Sequence, residues 1–303
     1  MTDIDIDLDQ VRSFLATHAR VLDRRRFETV VADGAAAAAS ASRSALLALD
    51  AYRNPDGGYG WGIEPDLRSA ESQPAGALHA FEVLAEAGPL TSPRAVEICD
   101  WAANAALTGG GLPFAVEVSD PAGCAPFWAG ADTAAPSLHI TAAVCSMAWR
   151  VARHDTAVAA HPWLAATTEW CLDEIRGLSS PHAIELMYVL HLLDELATER
   201  TDARDLLERT AATHLPSDAT VTVAGGLADE RLRPLDFSPW PDRPLRELVQ
   251  DDAVEADLER LRSLQQDDGG WIVDFASSSP AAELEWRGYA TVGAVAVLRA
   301  NGS

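Results

Sequence analysis

Lysine is missing from this chain of 303 residues, so arginine supplies all 23 of its basic side chains. Aspartate and glutamate number 46, which gives a formal net charge of -23 at pH 7. An electrostatic field of this sign repels a phosphate backbone, and we therefore expect no nucleic acid partner. An acidic surface of this kind serves solubility more often than a specific function.

The chain also lacks the marks of export and of membrane insertion. Its first ten residues, MTDIDIDLDQ, have neither the basic region nor the apolar stretch of a secretory signal, and no run of about 18 apolar residues occurs. The four cysteines show no CxxC spacing, which argues against a disulfide framework and a zinc ribbon. We expect a soluble cytoplasmic protein, whose hydrophobic content of 48% suffices for a sizeable core.

Strand signals and the common catalytic motifs are nearly absent. The best strand candidate is residues 220–223, and there is no GxSxG elbow, Walker loop, Rossmann fingerprint or HExxH helix. Apolar residues at helical spacing fill most of the chain, including residues 9–25, and no shift in composition divides it. The sequence predicts one all-α domain, residues 1–303, of about five or six helical hairpins.

Two segments at opposite ends of the chain repeat one pattern. Residues 46–88 and 261–302 each contain a helical stretch, a turn built on Asp-Gly-Gly beside an aromatic residue, a polar loop, and a second helical stretch that ends at glycine. Repeats of this size are typical of helical hairpins that stack or close into a ring. The paired glycines at Gly57, Gly110, Gly225 and Gly269 are best explained by turns that need positive φ.

Aligning the two copies on Leu84 and Leu298 places Glu71 opposite Glu285, at the predicted start of each second helix. A carboxylate in that position is favoured by the helix dipole, so each glutamate alone has a structural explanation. Their surroundings suggest more, because each copy places further charged residues nearby: Glu64, Asp66 and Arg68 in the first, and Asp274, Glu283 and Arg287 in the second.

The middle of the chain supplies a third loop of similar composition, with Asp120, Phe127, Trp128, Asp132 and His139. In a closed ring of hairpins the starts of the inner helices converge on the axis. These carboxylates and aromatic rings would then surround one cavity, suited to proton donation and to stabilising a cationic intermediate against ring faces.

The motif LxxLQxxDGGW at residues 261–271 and its relative NPDGGYGW at residues 54–61 resemble the repeat of squalene-hopene cyclases, other class II terpene cyclases and protein prenyltransferase β-subunits. The resemblance implies an α/α toroid with a central, apolar, aromatic-lined pocket and isoprenoid substrates. It also implies that Gln265, the paired glycines and Trp271 join neighbouring hairpins.

The chain departs from that family at both of its catalytic sets. Of the cyclase DxDD motif only Asp132 survives, in GADTA at residues 130–134, and Ala131 stands where the proton-donating aspartate would be. The zinc ligands of the prenyltransferases are not matched either, since Cys124 lies too close to His139 and no Asp-x-Cys is present. We predict no metal site.

The first functional hypothesis is an isoprenoid cyclase in which a buried carboxylic acid starts carbocation chemistry. Its candidate catalytic residues are Asp66, Glu71, Asp132, His139, Asp274 and Glu285. Its candidate substrate-binding residues are Trp61, Glu64, Arg68, Phe127, Trp128, Trp271, Trp286, Arg287 and Tyr289. Arg68 and Arg287 would hold a diphosphate, with magnesium between it and a carboxylate, unless they form ion pairs with nearby glutamates. No other cofactor is expected.

Two alternatives remain open from the sequence. Helical barrels also host glycoside hydrolases, whose paired carboxylates flank a sugar bond while tryptophans stack on sugar faces. The loss of both catalytic sets equally fits a noncatalytic toroid that binds a lipid, a peptide or another protein. The sequence does not determine the oligomeric state.

Overall fold

A computed structural model describes residues 6–302. Within these residues it has fourteen α-helices, which account for most of the chain. In chain order they are α1 (Leu8–His18), α2 (Val21–Val31), α3 (Ala35–Leu49), α4 (Pro74–Glu86), α5 (Pro93–Ala105), α6 (Pro126–Ala129), α7 (Leu138–Ala152), α8 (Thr156–Ala159), α9 (Pro162–Arg176), α10 (Ala183–Leu196), α11 (Thr201–His214), α12 (Pro234–Phe237), α13 (Asp251–Ser263) and α14 (Pro280–Ala300). The predicted all-α class is thereby confirmed.

The remaining regular structure is small. Strands β1 (Val221–Thr222) and β2 (Arg231–Leu232) form an antiparallel pair, and 3-10 turns occupy Asp50–Tyr52 and Pro244–Leu248. None of the helices in the described part of the chain is long and apolar enough to cross a membrane.

One helix predicted from the sequence is in fact two. The helical pattern over residues 9–25 is interrupted at Ala19, whose ψ of 159° is extended, and α2 starts after Arg20. The Arg20 guanidinium donates to the backbone oxygen of Ile63 at 2.8 Å and forms a bidentate pair with Asp23. The break therefore accompanies a tertiary contact, which the spacing of apolar residues in the sequence does not reveal.

The helices pack in a recurring order around one contiguous core. Helix α2 packs on α4, α4 on α7, and α7 on α10; α10 then contacts α12, α12 contacts α13, α13 contacts α14, and α14 contacts α2. Helices α4, α7 and α10 are apolar on most sides, and many of their residues are buried. Helices of this composition belong to the interior of a fold.

The glycine turn predicted at both ends of the chain occurs a third time. In residues 54–58, 107–111 and 266–270 the first residue donates its N–H to the last, and the fourth donates its N–H back to the first. The fourth residue has positive φ in each copy: 89° at Gly57, 105° at Gly110 and 90° at Gly269. The predicted positive-φ turns are therefore confirmed.

The second and third glycine turns are joined to α7 and α14, respectively, by the same kind of hydrogen bond. The N–H of Leu112 donates to Thr141 Oγ1 at 2.8 Å, and that of Trp271 donates to Thr291 Oγ1 at 2.9 Å. Each donor directly follows the last glycine of its turn. The two threonines thus mark equivalent positions of α7 and α14.

Backbone contacts extend this alignment to the first copy. The N–H groups of Gln73 and Ser137 donate to the residue that follows their own glycine turn, at 2.9 Å and 2.8 Å. Counting from these positions aligns Glu71 with Glu285, as the sequence comparison predicts. Their placement at a helix start is wrong, however: Glu71 lies three residues before α4, and Glu285 is the sixth residue of α14.

Candidate functional site

A histidine between two carboxylates lies where α4 meets the loop before it. His79 Nε2 donates to Glu64 Oε2 at 2.8 Å, and His79 Nδ1 donates to Glu82 Oε2 at 2.9 Å. His79 and Glu82 are three residues apart in α4 and therefore share one face of the helix. Since both ring nitrogens face carboxylates, both act as donors and the ring is an imidazolium.

The electrostatics of this triad agree with its hydrogen bonding. Burial opposes the charged form of His79, but Glu82 and Glu64 outweigh it and raise its pKa to about 9. Burial likewise opposes the charge of Glu82, yet His79, Arg26 and a hydrogen bond from Tyr289 lower its pKa to about 2. His79 is therefore a cation at neutral pH and Glu82 an anion.

Asp66, a predicted catalytic acid, lies buried beside this triad. Its Oδ1 accepts from the Ser278 backbone N–H at 2.7 Å and from the Ser278 hydroxyl at 2.5 Å, and its Oδ2 accepts from Trp286 Nε1 at 2.8 Å. These contacts tie the loop before α4 to the loop before α14. Because both oxygens are occupied as acceptors, the carboxylate positions neighbouring groups rather than donating a proton.

Two predicted substrate-binding aromatics lie on the first turns of α14 and pack against His79. The ring centroids of Trp286 and Tyr289 lie 6.1 Å and 5.4 Å from that of His79, with edge-to-face geometry. The Tyr289 hydroxyl donates to Glu82 Oε1 at 2.8 Å. Both rings are only half-buried, so part of each remains open to a ligand. We call Glu64, Asp66, His79, Glu82, Trp286 and Tyr289 the central cluster.

Arg68 and Glu285 form an ion pair with each other at 2.6 Å. Both side chains retain partial exposure, and Glu285 directly precedes Trp286 of the central cluster. The sequence hypothesis offered an ion pair as the alternative to diphosphate binding, and this ion pair is present. Glu285 balances the charge of Arg68. It removes the basis for a diphosphate site at this arginine.

Arg287 and Trp271 have structural roles. Arg287 pairs with Asp268 of the third glycine turn at 2.8 Å and lies over the Phe14 ring, 4.5 Å from its centroid. Trp271 is buried and donates from Nε1 to the Leu261 oxygen at 2.8 Å. Both were candidate substrate-binding residues, and the family resemblance also implied a joining role for Trp271. In the structure both join neighbouring segments around α1, α13 and α14. A diphosphate at Arg68 or Arg287 would have to displace the carboxylate that each arginine now contacts.

Asp132 and Asp274 are exposed, which corrects their assignment as buried acids. Asp132 accepts the Ala134 N–H at 2.9 Å in a local turn on a surface loop. The cyclase hypothesis requires a buried acid, and neither of these exposed side chains meets that requirement.

Glu71 also lies apart from the central cluster. Its Oε1 accepts from the Ser119 hydroxyl, and this hydrogen bond lowers the pKa of the carboxyl. The contact ties the loop before α4 to the Gly-rich segment before α6. We assign Glu71 a role in joining loops.

Among the remaining predicted aromatics, the structure separates exposed from buried rings. Trp61 and Phe127 are each 58% exposed, and Trp61 donates outward from Nε1 to Asn54 Oδ1 at 2.8 Å. Their expected position in a cavity is therefore wrong. Trp128 is buried and stacks on Phe114 with centroids 4.3 Å apart.

His139 of α7 belongs to a second group of rings, together with Tyr188 of α10 and Phe114 of the preceding loop. It stacks on Tyr188 at 5.5 Å and packs against Phe114 at 5.3 Å. Burial, with the nearby charge of His182, lowers the pKa of His139 to about 4. His139 is therefore neutral where His79 is charged.

Tyr188 connects the two groups. Burial raises the pKa of its phenol, and the negative charges of Glu82 and Glu64 raise it further. Its ring also meets His191 edge to face at 6.0 Å. Among residues 6–302, no group of three or more His, Cys, Asp or Glu side chains has the arrangement of a metal site.

The sequence motifs did not indicate a role for several of these residues, namely His79, Glu82, Tyr188, His191 and Arg26. The Arg26 guanidinium forms a bidentate pair with Glu86 and lies 4.8 Å from the Tyr289 ring centroid. One signal was available, since a histidine and a glutamate three apart in an otherwise apolar helix must find partners once buried.

No protein-family model matches the chain, and no curated protein sequence matches it. A protein from Actinoplanes of known crystal structure has a similar fold, with a TM-score of 0.56 and 15% sequence identity over 98% of this chain and 99% of the other. At this identity the similarity concerns the fold alone.

Proposed function

We propose that the helices close into an α/α toroid whose lumen is a small-molecule site centred on the central cluster. The circular order of packing supports this arrangement, because the series that runs from α2 through α4, α7 and α10 returns by way of α14 to α2. The recurrence of one glycine turn before α4, α7 and α14 supports it as well. In such a ring the inner helices bring His79, His139, Tyr188 and Tyr289 to the same space.

The ligand we propose is a hydroxylated cyclic molecule of the carbohydrate class, on which the protein performs acid–base chemistry. The single observation that carries this proposal is the imidazolium of His79, fixed between Glu64 and Glu82 under the half-buried rings of Trp286 and Tyr289. Ring faces stack on sugars, while carboxylates, phenols and imidazoles bind hydroxyl groups.

The acid–base assignment rests on the contrast between two histidines. The pKa of His79 is raised to about 9 and that of His139 is lowered to about 4, so at neutral pH one ring is an imidazolium and the other is neutral and can accept a proton. Titratable groups whose environments drive their pKa values apart are the usual sign of an acid and a base. His139 would act as the base, while the imidazolium of His79 would hold Glu64 and Glu82 in place for the hydroxyl groups of the ligand.

The isoprenoid cyclase hypothesis retains one specific support. Burial raises the pKa of Asp236 to about 7, with Asp257 and Asp274 adding to the effect. A carboxyl of this kind is partly protonated at neutral pH, as acid-started carbocation chemistry requires. Asp236 accepts the Arg233 N–H at 2.7 Å and lies on α12, beside α10. It is the acid of our second candidate function.

The test is a ligand screen by thermal shift and calorimetry, with monosaccharides and their derivatives in one arm and prenyl diphosphates and squalene in the other. Products in each arm are analysed by mass spectrometry. We expect a sugar to bind, and Tyr289→Phe, which loses only a hydroxyl, to weaken it by about 1 kcal/mol or more. The matched control is Trp61→Phe, on an exposed ring outside the central cluster.

The two candidate functions predict opposite results. Binding of a sugar that Tyr289→Phe weakens and Trp61→Phe does not would support the first. Turnover of a prenyl substrate that Asp236→Asn abolishes, with no sugar bound, would replace it with the second.

A further inference from the structure

A groove of about 390 Å³ lies between α1 and α2, and none of its lining residues belongs to the central cluster. Leu15 and Phe27 form its buried floor, and Val21, which is 60% exposed, forms an apolar wall. Arg12, Arg24, Arg25 and Glu28 line its rim. Arg26 of the same helix points inward to Glu86, so α2 presents one arginine to the interior and two to this groove.

The charge of this rim is opposite to that of the molecule. Three arginines face one glutamate here, in a chain with a net charge of -23. Arg12 pairs with Asp9 at 3.4 Å and with Glu28 at 3.6 Å, and Arg24 donates to the Ala19 backbone oxygen at 3.3 Å. Arg25 is exposed and makes no ion pair with any carboxylate of residues 6–302. The rim therefore has guanidinium groups available to an incoming anion.

We propose that this groove binds a single amphiphilic anion, with its acidic head group on Arg24 and Arg25 and its hydrocarbon chain along the exposed Ala16 and Val21. The groove has the volume of a small-molecule site. Guanidinium groups bind carboxylates and phosphates in a bidentate manner, and the exposed apolar wall gains by leaving water. The site is separate from the central cluster and does not depend on its function.

The net charge of the protein decides between a single anion and an anionic membrane. A bilayer surface would face much of the negative molecule, whereas one ligand responds mainly to charges within a Debye length of about 8 Å. The groove is also bounded by two helices of 11 residues each, which suits a short chain better than an extended acidic peptide.

The test measures binding of decanoate and decyl phosphate by calorimetry, with decanol as the neutral analogue of the same chain length. The variants are Arg25→Gln, which removes a rim charge, and Val21→Asp, which places a negative charge on the apolar wall. Both positions are exposed, so folding should be unaffected. Arg43→Gln, at an exposed arginine of α3 outside the groove, is the matched control.

We expect each groove variant to weaken binding of both anions by about fivefold or more, with Arg43→Gln unchanged and decanol bound at least about tenfold more weakly. Comparison of the two anions identifies the preferred head group. The proposal is overturned if neither anion binds, if decanol binds equally well, or if Arg43→Gln acts like Arg25→Gln. Binding to phosphatidylserine vesicles without binding to either monomer would also overturn it and assign the groove to a membrane surface.

Discussion

At the scale of the residue, the charge of His79 is a property of its neighbours. An isolated buried imidazole loses its proton readily, as His139 illustrates with a pKa lowered to about 4. His79 is equally enclosed, but two carboxylates accept from its ring nitrogens and raise its pKa to about 9. The same side chain therefore serves opposite roles at two positions of one fold.

This charge predicts a particular dependence of stability on pH. The ordinary pKa of a histidine, 6.5, applies to His79 in the unfolded chain, and its pKa in the folded protein is about 9. The stabilisation by the charged ring is thus complete below pH 6.5 and is lost as the pH rises through 9. We expect the free energy of unfolding to fall by about 3 kcal/mol over this range, measured by urea denaturation.

His79→Gln provides the control for this measurement, because it keeps one donor and cannot titrate. The variant should be less stable at pH 6 and should lack most of the decline toward pH 9. A decline of equal size in both proteins would show that His79 is not its source.

At the scale of the element, the glycine turns hold the hairpins together. Gly269 has a φ of 90°, and a Cβ there would lie 2.3 Å from the Gln10 backbone oxygen of α1. Gly88, after α4, has a φ of 65° but open space around its Cα. A substitution at Gly88 therefore tests the cost of positive φ alone, whereas one at Gly269 adds the cost of a steric clash.

We expect Gly269→Ala to cost clearly more stability than Gly88→Ala. Positive φ alone costs an alanine about 1–2 kcal/mol, while the clash with α1 adds to this at Gly269 only. Thermal denaturation of the two variants measures the difference. Equal losses would indicate that α1 does not pack against the third glycine turn.

The elements that follow local rules could be predicted, and those set by tertiary contacts could not. The positive-φ turn at Gly110 and the α14 helix follow from glycine and from apolar spacing. The break at Ala19 could not be foreseen, since no glycine or proline marks it and the Arg20 contact with Ile63 is formed 43 residues away.

The residues of the candidate site likewise fall into those that the sequence indicates and those that it does not. Asp66, Trp286 and Tyr289 were found because they lie close to the repeat motif, whereas Glu82 lies within a helix that reads as core. Asp132 was misplaced because a family motif suggested burial that its loop does not provide. A carboxylate's partners come from distant segments, so its burial is settled only in the folded chain.

At the scale of the whole molecule, the net charge of -23 opposes the compact state through self-repulsion. We expect the Tm to rise by several degrees between about 10 and 150 mM NaCl, as the Debye length shortens from about 30 to about 8 Å. Scanning calorimetry across this range checks the expectation. A Tm that stays constant or falls would mean that the ion pairs lost to screening outweigh the relief of repulsion.

The central claim is that one fold holds two buried histidines in opposite charge states, with His79 charged and His139 neutral. The most direct test is an NMR titration of the imidazole resonances in the intact protein, assigned with His79→Gln and His139→Gln. We predict a midpoint near 9 for His79 and near 4 for His139. Two midpoints near the ordinary value of about 6.5 would contradict the account.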